Sequence, residues 1–84
     1  MHYTLASYWS YYHALPLSIR RSADNAFALL KENPQHPSLH FKPVGKFWSA
    51  RVTYNYRALA VKKAEGYYWF WIGSHAEYDR LLSQ

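Results

Sequence analysis

Tyr67-Tyr68-Trp69-Phe70-Trp71-Ile72-Gly73-Ser74-His75-Ala76-Glu77 is the stretch that decides how this chain folds. Its first six residues are an unbroken aromatic and apolar run, the pattern of an interior strand. Ser74-x-x-Glu77 then matches a capping box, in which a serine hydroxyl accepts from the backbone at Glu77 while the glutamate reaches back. The pattern predicts a strand that passes directly into a helix over about residues 75–82. His75 falls in the first turn of that helix and Tyr78 one turn later.

Working upstream from that strand, the residues keep a period of two. Phe47 to Val52 alternates, with Trp48, Ala50 and Val52 on one face and Phe47, Ser49 and Arg51 on the other. Tyr56 to Val61 is a further strand, and Leu39-His40-Phe41-Lys42 begins the series. Thr53-Tyr54-Asn55 and Glu65-Gly66 are short enough for hairpins. The second half therefore predicts an antiparallel meander.

The first half has a different period. Residues 2–5 suit a short strand, and Ser7 is placed to cap a short helix carrying Tyr8, Trp9 and Tyr12. Ile19, Ala23, Ala26, Phe27 and Leu30 then recur at helical spacing, with Arg20, Arg21, Asp24 and Lys31 on the other side. Pro16 suits the start of that helix and Asn33-Pro34 its end. The fold class expected is α+β: an N-terminal strand and two helices packed on an antiparallel β-sheet, closed by a short C-terminal helix. No linker or repeat interrupts residues 1–84, which predicts one domain.

Composition bounds the rest. With 84 residues, a fifth of them aromatic, the chain has enough bulk for a packed core and is not a disordered tail. No Cys is present, which excludes a disulfide scaffold, a thiolate metal site and a cysteine nucleophile. No run is long enough to span a membrane, and Met1 to Leu5 lack the pattern of a signal peptide. A reducing cytoplasm fits these features. The net charge of +5 suits an acidic partner or a polyanion.

Two groups of residues offer chemistry. Arg51 and Arg57 lie on strands joined by a tight turn and approach a cross-strand pair. Two like charges so placed are destabilising unless an anion sits between them. Lys42 and Lys46 flank the preceding turn and can reach the same face, completing a phosphate clamp. At the helix start, the backbone dipole disfavours an imidazolium at His75. A neutral imidazole serves as a base, and a nearby phosphate restores the acid form. Tyr78 shares its helix face and can donate or stack. His36 and His40 have neither Cys nor a nearby acid beside them, so no zinc site is expected.

The segment His36-Pro37-Ser38-Leu39-His40-Phe41-Lys42, then Gly45-Lys46-Phe47-Trp48-Ser49-Ala50-Arg51-Val52, Tyr56-Arg57-Ala58-Leu59 and Trp71-Ile72-Gly73-Ser74-His75-Ala76-Glu77-Tyr78-Asp79-Arg80-Leu81 resembles the RelE/ParE superfamily of bacterial toxins. The order of elements fits as well. The resemblance implies the toxin of a type II toxin–antitoxin system, bound by a cognate antitoxin protein. Its RelE-like branch implies a ribosome-dependent mRNA endonuclease needing no metal or other cofactor. There the 2′-hydroxyl attacks the adjacent phosphate to give a 2′,3′-cyclic phosphate. By position, Arg57 would hold the scissile phosphate, His75 would act as acid or base and Tyr78 would assist. Arg51, Lys42 and Lys46 would bind phosphate or ribosomal RNA, with His40 a second base. Ser49 departs from the family pattern, standing where a basic residue often follows the Trp. The ParE branch implies a different outcome, inhibition of DNA gyrase without nuclease action. An inactive relative that binds RNA or a partner is the third expectation.

Overall fold

The computed structural model describes residues 1–83. Its elements run β1 (His2–Thr4), α1 (Ala6–His13), α2 (Leu17–Glu32), a 3₁₀ turn (Pro37–Leu39), β2 (Lys42–Val44), β3 (Phe47–Thr53), β4 (Tyr56–Lys63), β5 (Gly66–Ser74) and α3 (His75–Leu82). The five strands form one sheet in the order β1-β5-β4-β3-β2. β2 to β5 are the expected antiparallel meander, whereas β1 runs parallel to β5, which makes the sheet mixed. Among the described residues no helix is long and apolar enough to cross a membrane.

The sheet has two unequal faces. One is covered by α1 and α2, and its core joins Tyr8, Ala23 and Leu30 to Ala50, Ala58, Ala60, Trp69 and Ile72. Alanines fill the middle of this face, so the helices lie close to the strands without leaving a large void. The other face carries Leu59, Trp71 and Tyr78, with Phe47, Phe70 and Leu82 against them. The amphipathic α3 covers only part of this second face.

The aromatic run serves both faces because it contains a bulge. Leu59 pairs with Trp71 but Ala60 pairs with Trp69, which leaves Phe70 as the extra residue. A bulge shifts the side-chain alternation by one. Tyr67 and Trp69 therefore face α1 and α2, whereas Phe70 and Trp71 face α3.

Two local expectations are corrected. Leu39 to Lys42 is not a strand: Leu39 ends the 3₁₀ turn, His40 takes a left-handed conformation with φ 45°, and β2 begins only at Lys42. Leu39 is 1% exposed, so this segment spends its apolar residue anchoring the turn in the core rather than alternating along a strand. Nor does Ser7 cap α1. Leu5 holds the cap position without a side-chain bond, and the Ser7 hydroxyl donates instead to the Phe70 carbonyl at 2.8 Å. That carbonyl belongs to the bulge, where an unpaired acceptor needs a partner.

The edge of the sheet contains a proton-sensitive contact. The Trp69 indole N–H donates to His2 Nδ1 at 3.1 Å, and the imidazole stacks on Tyr67. Burial, then the N-terminal ammonium and Lys31, lowers the His2 pKa below its ordinary value. Below that value the acceptor nitrogen gains a proton and the bond is lost. The unfolded chain binds this proton more readily, so stability is full above about pH 6.5 and falls as pH drops through the folded-state pKa. Urea denaturation at pH 7.5 and pH 5 is expected to show a larger loss of midpoint for the wild type than for His2→Phe. Equal losses would remove His2 from the account.

Candidate functional site

β3 and β4 are joined by the two residues Tyr54 and Asn55, with Thr53 paired to Tyr56. A bulge between Arg51 and Thr53 leaves Val52 as the extra residue, and it is this shift that sets Arg51 directly opposite Arg57 rather than Ala58. One nitrogen of Arg57, Nη1, donates to the carbonyls of Thr53 at 2.7 Å, Tyr56 at 3.0 Å and Tyr54 at 3.1 Å. The turn thereby fixes the guanidinium plane. Among the described residues Nε and Nη2 make no hydrogen bond and stay available to an anion. Burial, then the like charge of Arg51, pulls the Arg57 pKa below its ordinary value. A guanidinium remains charged at any physiological pH. The two cations therefore form a strained pair that an anion would relieve.

α3 is brought to the same place by two devices. The capping box is complete, with Ser74 Oγ accepting from the Glu77 amide at 3.2 Å and Glu77 Oε1 accepting from the Ser74 amide at 3.1 Å. The His75 amide, in turn, donates to the Asn55 carbonyl at 2.7 Å, tying the helix start to the β3–β4 turn. Gly73 precedes this junction. A side chain there would collide with the Trp71 indole, so the close approach of that ring requires glycine.

The result is one hollow of about 230 Å³ lined by His40, Lys42, Ser49, Arg51, Arg57, His75, Tyr78 and Asp79. Six of the seven residues singled out in the sequence meet there. The seventh, Lys46, does not. Its ammonium lies 5.5 Å from the Phe47 ring centroid and lines a separate groove with Leu59, Phe70 and the end of α3. Lys46 sits in the two-residue turn Gly45-Lys46 that joins β2 to β3, whereas Lys42 lies on β2 opposite Ser49 of the hollow.

Within the hollow, His75 Nδ1 lies 3.1 Å from Asp79 Oδ2, one helical turn on. In the neutral ring a carboxylate on Nδ1 holds that nitrogen as the donor and leaves Nε2 as the acceptor. The imidazole meets the Tyr78 ring edge-on at 5.6 Å between centroids. Tyr78 is 9% exposed, yet its hydroxyl is not a buried atom lacking a partner and makes no hydrogen bond among the described residues. The hydroxyl therefore opens to solvent at the hollow. Sequence reasoning missed Asp79 and Ser49 as members. For Asp79 the signal was present, because a residue four positions after His75 on a helix shares its face. For Ser49 there was none beyond its alternation with Arg51.

Comparison with known proteins identifies the family and the fold. The model of the ParE-like toxin domain matches residues 17–80. The chain belongs to the ParE-like toxin family. A chain in the crystal structure of the RelB-RelE antitoxin-toxin complex from Methanococcus jannaschii has a similar fold, with a TM-score of 0.72 at 12% identity over 93% of this chain and 96% of that one. At that identity the likeness concerns the fold. No curated protein matches the chain. In this ParE-like domain the family match runs from α2 through the meander and most of α3, and so takes in every residue that lines the hollow.

Proposed function

We propose that this toxin is a ribosome-dependent mRNA endonuclease held inactive by an antitoxin. One observation carries the reading: the opposed arginines Arg51 and Arg57 share a small hollow with a carboxylate-oriented imidazole, His75. Two guanidinium groups suit a phosphate, and the imidazole beside them suits proton transfer. The antitoxin partner is carried over from the RelB-RelE complex, whose fold this chain shares.

In the proposed reaction the RNA 2′-oxygen attacks the adjacent phosphorus and loses its proton. The bond from phosphorus to the 5′-oxygen breaks, and that oxygen takes up a proton. The products are a 2′,3′-cyclic phosphate and a 5′-hydroxyl. Arg57 holds the phosphate through its free Nε and Nη2, and Arg51 and Lys42 offset the charge that builds on the equatorial oxygens. His75 moves one proton through Nε2 while Asp79 keeps the ring oriented. His40 and Tyr78 stand at the same hollow for the other proton.

Toeprinting of an mRNA on translating ribosomes with purified protein tests this. Wild type is expected to cut within the ribosome-bound message, and His75→Ala to cut on the order of 10²- to 10⁴-fold more slowly, the usual worth of a positioned acid or base. Pulse labelling after induction should show translation falling before DNA synthesis. DNA synthesis falling first would assign the protein to gyrase inhibition. Absence of any arrest would leave an RNA- or partner-binding relative.

A further inference from the structure

A second hollow adjoins the first and shares a wall with it. It measures about 440 Å³ and lies between α2 and the β3–β4 turn, lined among others by Ser22, Asn25, Leu29, Ser38, Arg51 and Tyr54. That size falls within the ~300–1,000 Å³ usual for small-molecule sites. Arg51 lines both hollows and so forms the ridge between them.

The lining has a particular chemistry. Tyr54 is 76% exposed, the most exposed aromatic side chain among the described residues. The guanidinium carbon of Arg51 lies 5.7 Å from its ring centroid. That cation covers one side, and so large an exposure leaves ring surface open to a second flat partner. Across the groove, the Asn25 amide makes no hydrogen bond among the described residues, and it offers both a donor and an acceptor. Leu29 and Ala26 give the floor an apolar surface. An open aromatic ring, a free amide and an adjoining phosphate-binding cation together match a nucleobase on its sugar–phosphate chain.

We propose that this groove holds the base of the nucleotide next to the scissile phosphate, so that single-stranded RNA crosses the Arg51 ridge from one hollow to the other. Tyr54 stacks on the base, Arg51 contacts the phosphate between the two nucleotides, and Asn25 meets the polar edge of the base. This inference rests on the first hollow being a phosphate clamp for RNA.

The test is an NMR titration of the full chain with two probes, uridine 3′-monophosphate and a uridine trinucleotide whose 2′-O-methyl groups prevent cleavage. The trinucleotide is expected to bind wild type at least tenfold more tightly than the mononucleotide, with amide shifts at Asn25 and Tyr54. Tyr54→Ala is expected to reduce that ratio about tenfold, and Tyr54→Phe to preserve it. Mononucleotide binding is expected to disappear in Arg57→Ala. A trinucleotide that binds no better than the mononucleotide, or a ratio unchanged in Tyr54→Ala, overturns the groove while leaving the clamp intact. A wild-type protein that binds neither probe overturns the clamp and the groove together.

Discussion

Arg57→Ala is expected to abolish growth arrest and to slow mRNA cleavage by at least 10²- to 10³-fold, while the protein still folds and still binds its antitoxin. The magnitude is that of removing a preorganised donor aimed at developing oxyanion charge. Two smaller effects on stability oppose one another. Losing the Nη1 bonds to Thr53, Tyr54 and Tyr56 loosens the turn. Removing one of two facing cations relieves repulsion of about 0.2–1 kcal/mol. A charged donor shared among backbone carbonyls is worth about 1.5–3 kcal/mol, so the net loss should be near 1–2 kcal/mol. That leaves the variant folded at 25 °C. Arg57→Lys separates charge from shape: it keeps the cation but cannot both hold the turn and present a planar fork, so it should recover only part of the activity. Toeprinting with all three proteins, with circular dichroism as the check on folding, gives the answer. Full cleavage by Arg57→Ala would remove this residue from the site.

Trp69→Ala should have the largest effect on the fold itself. Trp69 is 1% exposed and is among the largest fully buried side chains. It sits where β5 meets the α1 and α2 face, and it supplies the indole donor to His2. Deleting a buried indole costs about 3–5 kcal/mol through lost transfer energy and the cavity left behind. A chain of 84 residues has roughly 4–13 kcal/mol of stability in total. The substitution should therefore bring the protein close to unfolding, with the urea midpoint falling by 1 M or more. Trp71→Ala, on the α3 face, should destabilise less, because Trp71 belongs to the smaller of the two cores. If Trp69→Ala and Trp71→Ala had equal midpoints, the two faces would not differ as described.

Those contrasts show how unevenly the chain announces its structure. Elements governed by near neighbours were legible. The capping box at Ser74 and Glu77 marks the start of α3, and the stripe from Ile19 to Leu30 marks α2. Alternation through Phe47–Val52 sets Arg51 on the open face, and a short turn brings Arg57 near it, but the bulge at Val52 that makes the two residues direct partners left no mark in the pattern. The aromatic run announced an interior strand but concealed its bulge. Every residue from Tyr67 to Ile72 is apolar or aromatic, so no polar position marks where the alternation shifts.

By itself, then, the sequence determined the order of elements, the face of β3 that carries Arg51, and the shared face of His75 and Tyr78. Each of these follows from periodicity or capping within a few residues. Only the tertiary structure decided that β1 lies parallel beside β5, that Lys46 leaves the hollow, and that Arg51 stands between two of them. It also decided that His40, held left-handed after a turn anchored by Leu39, joins His75 from the middle of the chain. Such placements depend on which buried surfaces meet across the sheet, and the pattern along a strand or helix specifies a face without naming the partner that covers it.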